Sequence, residues 1–364
     1  MNILYVITGL GGGGAEKVVA DLADQMCNRG HQVKIAYLKG QVVVRPENQS
    51  IELIYLGLET FKDSKIAYQK YKKLIQLYQP DVVHAHMVHA NIFTRVARKL
   101  CPVPKLICTA HSNNEGGKVR MLFYRLTHAW SDLITNVSQS AAKSFEDMGA
   151  VPKGGIKAIY NGIKLDKFYK NNHSGREIRT SLGVGSDECM LLAVGRLHDA
   201  KDYPNLLRAF KIILESNLIK KKIQLIIVGD GEQKVEIEQM ICSLYLENNV
   251  QLLGRRDDIA QLMSAADVFV LSSFFEGFGL VVAEAMACET YVVATDCGGV
   301  KEVMGGFGLL APKQNSKALA DQLLIALNKP LHDRLENNLK ALHYVYENFD
   351  LDKITLEWLK IYES

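Results

Sequence analysis

Short apolar runs rich in Val, Ile and Leu alternate along this chain with stretches whose apolar residues recur every three or four positions. The runs read as strands over residues 2–8 (NILYVIT), 32–38, 82–86 (VVHAH), 105–110, 133–138 and 157–161. Helical periodicity between them predicts helices over 14–29, 62–79, 89–100, 117–130 and 140–148. A second series of strands follows at 190–196, 223–231, 250–254, 267–273, 290–296 and 308–312, again with helical intervals. Strands alternating with crossover helices predict parallel sheets. Residues 162–188, polar and rich in Gly, Asn and Ser, read as the connection between two such domains. The expected fold class is α/β: two Rossmann-like, doubly wound parallel-sheet domains facing across a cleft. Their bounds are residues 1–163 and 164–349. The final LDKITLEWLKIYES is amphipathic, and a helix over about 350–364 is expected to pack back on the first domain through Trp358 and Leu359.

A length of 364 residues fits this division, since single cores rarely grow beyond roughly 250–300 residues. The opening apolar run is short and lacks a basic leader or small-residue cleavage site, so it reads as a strand; a cytoplasmic location is expected. The seven cysteines show no two-residue spacing of a metal or redox site, and free thiols are expected. The net charge of +3 conceals an asymmetry. Residues 1–170 hold 23 Lys+Arg against 13 Asp+Glu, while the remainder holds 20 against 27. A basic first half points to an acidic partner, and KDSKIAYQKYKKLIQLYQ, with five lysines among tyrosines, isoleucines and leucines, is a candidate face for an anionic membrane. A helix solvated on one side is the competing reading. Nucleic acid is not expected, because no aromatic-rich recognition strand or helix-turn-helix pattern accompanies the charge.

The candidate chemistry collects at strand ends. ITGLGGGGAEKVVADL follows the first strand and opens a helix. Gly9, Gly11 and Gly14 satisfy the dinucleotide spacing, yet the second strand ends AYLKG, without the acid that would hold a ribose. What remains is a loop, Gly12, Gly13 and Gly14, whose backbone N–H groups can approach an anion at a helix start. In the second half, VGRLHDAK brings Arg196 and Lys201 to a strand end, two cations suited to a diphosphate. VGDGE adds Asp230, LLGRRDD adds Arg255, and SSFFEGFGL adds Glu276, Gly277, Phe278, Gly279 and Leu280. Glu284 then lies in an almost wholly apolar helical run, where a charge is costly without a partner.

In this order the glycine loop, the histidine of CTAHSNN, YNGI, VGRL with its lysine, VGDGE, EGFGLVVAEAM and CGGVKEV resemble glycosyltransferase family 4 over essentially the whole chain. The resemblance implies the GT-B fold, a nucleoside diphosphate sugar donor and retention at the anomeric carbon. It assigns Glu284 to the donor ribose hydroxyls, Glu276 and the backbone of Gly277–Gly279 to the transferred sugar, Arg196 and Lys201 to the diphosphate, His111 to the sugar, and Arg255 to the base. UDP is favoured as carrier of a hexose or N-acetylhexosamine, and the acceptor implied is a lipid-linked oligosaccharide of cell-surface polysaccharide, O-antigen or capsule, reached by peripheral contact with the inner face of the membrane. No metal and no cofactor is expected, because the one Asp-x-Asp, Asp350 to Asp352, opens the last helix as a cap. The residues leave open front-face substitution and a double displacement through Glu276. A nucleotide-sugar epimerase and a catalytically silent nucleotide-sugar-binding protein are the alternative functions; the joint presence of Arg196, Lys201, Glu276 and Glu284 argues against the silent one.

Overall fold

β1 (Asn2–Ile7) is buried from Ile3 onward, as a strand covered on both faces must be. It begins a seven-stranded sheet in a computed structural model that describes residues 1–113, 115–216 and 218–364. α1 (Gly14–Asn28), β2 (Gln32–Tyr37), β3 (Glu52–Tyr55), α2 (Ser64–Tyr78), β4 (Val82–His86), α3 (Val88–Arg98), β5 (Lys105–Ala110), α4 (Gly117–Thr127), β6 (Leu133–Asn136), α5 (Gln139–Asp147) and β7 (Lys157–Ala158) complete the N-terminal run. The strand order is β3-β2-β1-β4-β5-β6-β7, with every pairing parallel.

The second sheet starts after α6 (Asn172–Ser181) and contains β8 (Cys189–Val194), β9 (Ile223–Val228), β10 (Val250–Leu252), β11 (Val268–Leu271), β12 (Tyr291–Asp296) and β13 (Leu309–Pro312). Its order is β10-β9-β8-β11-β12-β13, again all parallel. α7 (Tyr203–Ser216), α8 (Lys234–Ser243), α9 (Ile259–Ala265), α10 (Leu280–Ala287), α11 (Val300–Met304), α12 (Ser316–Asn328) and α13 (Leu331–Asn348) connect and flank it. The chain ends in α14 (Leu351–Glu363).

Two compact units result, residues 1–162 with 351–364, and residues 163–350. α14 belongs to the first. Ile354, Trp358 and Tyr362 join a core with Tyr5, Ile7, Leu22 and Ile107, and Lys105 Nζ donates to the carbonyls of Ile361 and Tyr362 at the helix's C-terminal end. There a cation meets the negative end of the helix dipole. Gly162 precedes the change of unit, and a Cβ on it would sit 2.7 Å from the Leu351 Cα, so only glycine lets the two segments touch.

Two local expectations are corrected. Residues 162–188 are not a bare connection, for they contain α6, capped by the Asn171 side chain and packed so closely on α9 that a Cβ on Gly175 would meet the Ser264 carbonyl at 2.9 Å. Arg179 fastens α6 from below by donating to Ala265, Gly185 and Glu188 carbonyls and to Asp267. Polar composition hid this helix, because hydrogen bonds and a glycine contact hold it in place of an apolar stripe. β3 was also absent from the strand expectation; it is a four-residue edge strand, half-exposed, and so lacks a continuous apolar signal.

Candidate functional site

Strand order reverses on either side of β8 in the second unit, where β9 lies on one side and β11 on the other. Ligands of open α/β sheets bind at the carboxyl ends of strands flanking such a reversal. The loops at that point are Gly195–Asp202, after β8, and Ser272–Gly279, after β11.

These loops are stitched together. Phe274 N–H donates to the Ala200 carbonyl at 3.0 Å, and the Ser272 hydroxyl donates to the Lys201 carbonyl at 2.7 Å. Lys201 ends a short helical turn that the His198 side chain caps, and its Nζ lies 2.5 Å from Glu276 Oε1. The buried Ser273 hydroxyl donates to that same oxygen at 2.7 Å. Lysine and glutamate, 75 positions apart, thus form one mostly buried ion pair at the reversal point.

The glycines of VGDG permit this packing. Gly229 has φ +146°, and a Cβ there would stand 1.9 Å from the Gly195 carbonyl oxygen; one on Gly231 would stand 2.3 Å from that of Leu197. The loop after β8 therefore lies flat against glycine backbone, with Leu197 N–H donating to the Asp230 carbonyl. Asp230 is exposed, and its carboxylate accepts from Gly231 N–H. Gly229 N–H reaches the Gly254 carbonyl, which brings the exposed Arg255 to the same edge.

Arg196 is placed differently from Lys201. Its guanidinium is exposed and pairs with Glu232 at 3.2 Å, while His198 Nε2 lies 3.5 Å from the other Glu232 oxygen. Glu232 was not among the residues singled out from the sequence, though the E of VGDGE is that residue.

α10 begins after Gly279, which has φ +96°. Leu280 is its first residue, and Gly277 precedes the buried Phe278, whose ring packs edge-on against Phe349 at 5.3 Å. Phe278 is therefore a core side chain, and only its backbone can face a ligand. Glu284, about one turn into α10, is 4% exposed. Burial first, and the Glu284 carboxylate second, push the neighbouring Cys288 thiol up to about 12.

In the first unit, the reversal lies between β1 and β4. Gly12, Gly13 and Gly14 follow β1, with Gly13 as the N-cap of α1 and Gly12 at φ +104°. Glu16, in the first turn, already sets a carboxylate against Gly13, where a Cβ would meet its Oε2 at 2.6 Å. His111 stands one residue beyond β5, and its Nε2 lies 3.0 Å from His86 Nδ1. The other His86 nitrogen, Nε2, is buried without a hydrogen-bond partner among the described residues. A bare acceptor nitrogen is tolerated there more readily than an orphaned N–H. The proton of His86 therefore belongs on Nδ1, pointing at His111 Nε2, and leaves Nδ1–H as the donor that His111 offers. Burial lowers the His111 pKa to about 4, so the ring is neutral at pH 7.

Glu115 braces this histidine. It accepts from the His111 backbone N–H at 2.9 Å and from the Tyr124 hydroxyl, and burial raises its pKa to about 6 against those bonds and the Arg95 charge. One strand over, His84 bonds Tyr362 of α14 at 2.6 Å and Thr109 at 2.7 Å. Sequence reasoning passed over His84, His86 and Glu115. The signal was present in VVHAH, where two polar residues at i and i+2 share one face of an otherwise apolar strand. Among the described residues, no three His, Cys, Asp or Glu side chains are grouped as metal ligands.

The two all-parallel α/β sheets have the GT-B fold. The family model described as Glycosyltransferase Family 4 matches residues 12–167, and that described as Glycosyl transferases group 1 matches residues 174–342. The chain belongs to glycosyltransferase family 4. N-acetyl-alpha-D-glucosaminyl L-malate synthase of Bacillus anthracis is 26% identical over 372 residues, covering 96% of this chain and 93% of that one. UDP-Gal:alpha-D-GlcNAc-diphosphoundecaprenol alpha-1,3-galactosyltransferase of Escherichia coli is 29% identical over 316 residues, covering 81% and 80%. Among solved structures, Anabaena HepE in complex with UDP matches with a TM-score of 0.85 over 99% of both chains at 23% identity, a likeness of fold.

Proposed function

We propose that this glycosyltransferase moves a hexose or N-acetylhexosamine from a UDP-sugar, with retention, to a hydroxyl of a lipid-linked oligosaccharide, acting from the cytoplasm at the inner face of the membrane. The observation that carries the donor half is the Lys201–Glu276 pair at the reversal point of the second sheet. A cation and a carboxylate held 2.5 Å apart are the two charges that a diphosphate and a sugar hydroxyl would each engage. The UDP complex of HepE and the donor named for the Escherichia coli relative support UDP. The diphospho-undecaprenol in that relative's name supports a lipid-linked acceptor.

In this reading Lys201 takes the diphosphate, and Arg196 joins it by leaving Glu232. Glu276 accepts from sugar hydroxyls, Glu284 accepts from both ribose hydroxyls, and Arg255 and Asp230 border the base. The family resemblance assigns His111 to the sugar, and the glycine backbone of Gly12, Gly13 and Gly14 suits the diphosphate as an anion. The anomeric C–O bond breaks with its electron pair passing to the β-phosphate, where Lys201 and Arg196 stabilise the growing charge. The acceptor oxygen bonds the same face of that carbon, and its proton passes to the departing phosphate oxygen. No metal is needed for this charge balance.

The Bacillus anthracis relative is named for a small dicarboxylate acceptor, and that favours a second reading in which the acceptor is a soluble hydroxy acid. A thermal-shift panel of UDP- and GDP-sugars, followed by mass spectrometry of products with undecaprenyl-diphosphate-linked sugar and with L-malate, separates the readings. Stabilisation by UDP-sugars and elongation of the lipid-linked acceptor is the expected result. No shift with any nucleotide sugar, or an isomerised donor without acceptor, overturns it.

A further inference from the structure

We propose that His86 is a positioning residue for His111, locking that histidine in the tautomer that donates from Nδ1, so that its ring meets the transferred sugar with an N–H. His86 owes its place to the register of the sheet. β4 is buried throughout, and His86 pairs with Thr109 of β5. Side chains two residues apart share a face, so His111, two positions beyond Thr109, falls on the same side as His86 at the carboxyl edge. The two ring centroids lie 5.2 Å apart, with His86 Nδ1 3.0 Å from His111 Nε2.

The surroundings of His86 decide where its proton sits. The residue is 1% exposed. Burial first, then the nearby His84 and His111 rings, keep its pKa well below 6.5, and the ring is neutral at pH 7. A neutral imidazole has one N–H and one bare nitrogen. Among the described residues, nothing bonds its Nε2. His84, stacked at 4.0 Å, spends both nitrogens on Tyr362 and Thr109, and the Tyr5 hydroxyl bonds that of Tyr362. Nε2 is the nitrogen left bare, Nδ1 carries the proton, and His111 Nε2 accepts from it. His111 must then hold its own proton on Nδ1.

Packing alone does not call for an imidazole here. Burying a nitrogen without a partner costs free energy that a leucine would avoid. What His86 supplies is the bond to His111, and that bond selects which edge of the His111 ring carries a proton. Without it the other tautomer opens, in which Nδ1 is bare and cannot donate to a sugar oxygen. Glu115 holds the His111 backbone N–H, so ring and main chain are fixed by separate groups. An N–H aimed before the substrate arrives needs no reorientation during the reaction. The inference rests on the assignment of His111 to the sugar.

Long-range proton–nitrogen NMR correlations of the full chain, labelled with ¹⁵N-histidine, read the tautomers directly, with His111→Ala and His86→Asn as assignment controls. Wild type should show His111 protonated on Nδ1 and bare on Nε2, and His86 the same. Two variants then separate positioning from packing. His86→Leu fills the space without a donor, whereas His86→Asn sets an amide N–H close to the place of Nδ1. With a UDP-sugar and undecaprenyl-diphosphate-linked sugar, His86→Leu should cut kcat about 10–10²-fold, as for other histidines that lose the group orienting them. The donor KM and the UDP-induced thermal shift should move little, and His86→Asn should restore most of the lost kcat. A wild-type His111 protonated on Nε2 overturns the proposal, whether or not either variant folds. So does a His86→Leu protein with wild-type kcat, or an asparagine variant no faster than the leucine one. His111→Ala with unaltered kcat sinks the sugar assignment alone, and the wild-type spectrum still decides whether His86 sets the tautomer.

Discussion

Lys201 Nζ stands 2.5 Å from Glu276 Oε1, and the Ser273 hydroxyl donates to the same oxygen. Before a donor arrives, the group proposed to grip phosphate and the group proposed to grip sugar neutralise each other. Neither charge is left buried alone, and a donor engages both by dividing the pair.

Removing either partner should therefore damage more than binding. Lys201→Ala is expected to cut kcat roughly 10²–10³-fold, the usual loss for one preorganised donor to a developing oxyanion. Glu276→Gln should lose activity as well, and the double variant should lose less than the sum of both. A double-mutant cycle on UDP release measures this coupling, expected at about 0.5–3 kcal/mol. Strict additivity would show that the pair does not act as a unit.

Glu284→Ala should act on affinity. Loss of hydrogen bonds from a ribose diol to a charged acceptor weakens UDP binding by roughly 1.5–3 kcal/mol. Calorimetric titration with UDP reads that change, while kcat at saturating donor should move little. Unaltered UDP affinity would detach Glu284 from the ribose.

Gly229→Ala should fail through backbone. The added methyl carbon would stand 1.9 Å from the Gly195 carbonyl, at a φ that side chains avoid. A loss of about 1–3 kcal/mol in stability is expected, as for other forced overpacking. Activity should fall with it, because the displaced loop carries Lys201. Urea unfolding beside kinetics tests both.

Acid should destabilise the first unit through its histidines, and Glu115 should soften the effect. His111, its pKa lowered by burial from 6.5 to about 4, contributes stability that is present above pH 6.5 and lost as pH falls toward 4. His84 and His86, also lowered by burial, act in the same direction. Glu115, raised by burial from 4.5 to about 6, has the opposite sign: its contribution is present below pH 4.5 and lost as pH rises through 6. Glu115→Gln, which keeps an acceptor for His111 N–H, should make stability fall more steeply between pH 6 and 4.5. Thermal melts across that interval check the slope; parallel curves for the two proteins would refute the assignment.

Much of the fold was written locally. Apolar strands such as IQLIIV and amphipathic intervals such as those of α1 and α7 declare themselves by period, because burying a strand on both faces requires a continuous apolar run. Residue types at strand ends were legible for the same reason: Lys201 and Glu276 each lie in the loop that follows an apolar strand. α6 and β3 were not, since one is fastened by arginine hydrogen bonds and the other is a half-exposed edge.

Which strand ends become neighbours is another matter. Period and composition determine that β8 and β11 are strands, and they say nothing of the order β9-β8-β11 that sets Lys201 against Glu276 across 75 positions. Nor do they say that Arg196 finds Glu232, or that His86 turns toward His111. Such pairings depend on crossover connections and on the close approach that Gly229 and Gly231 permit. Local sequence determines which groups are available at each strand end; only the packed sheet, by bringing distant ends within hydrogen-bonding reach, decides which of them meet.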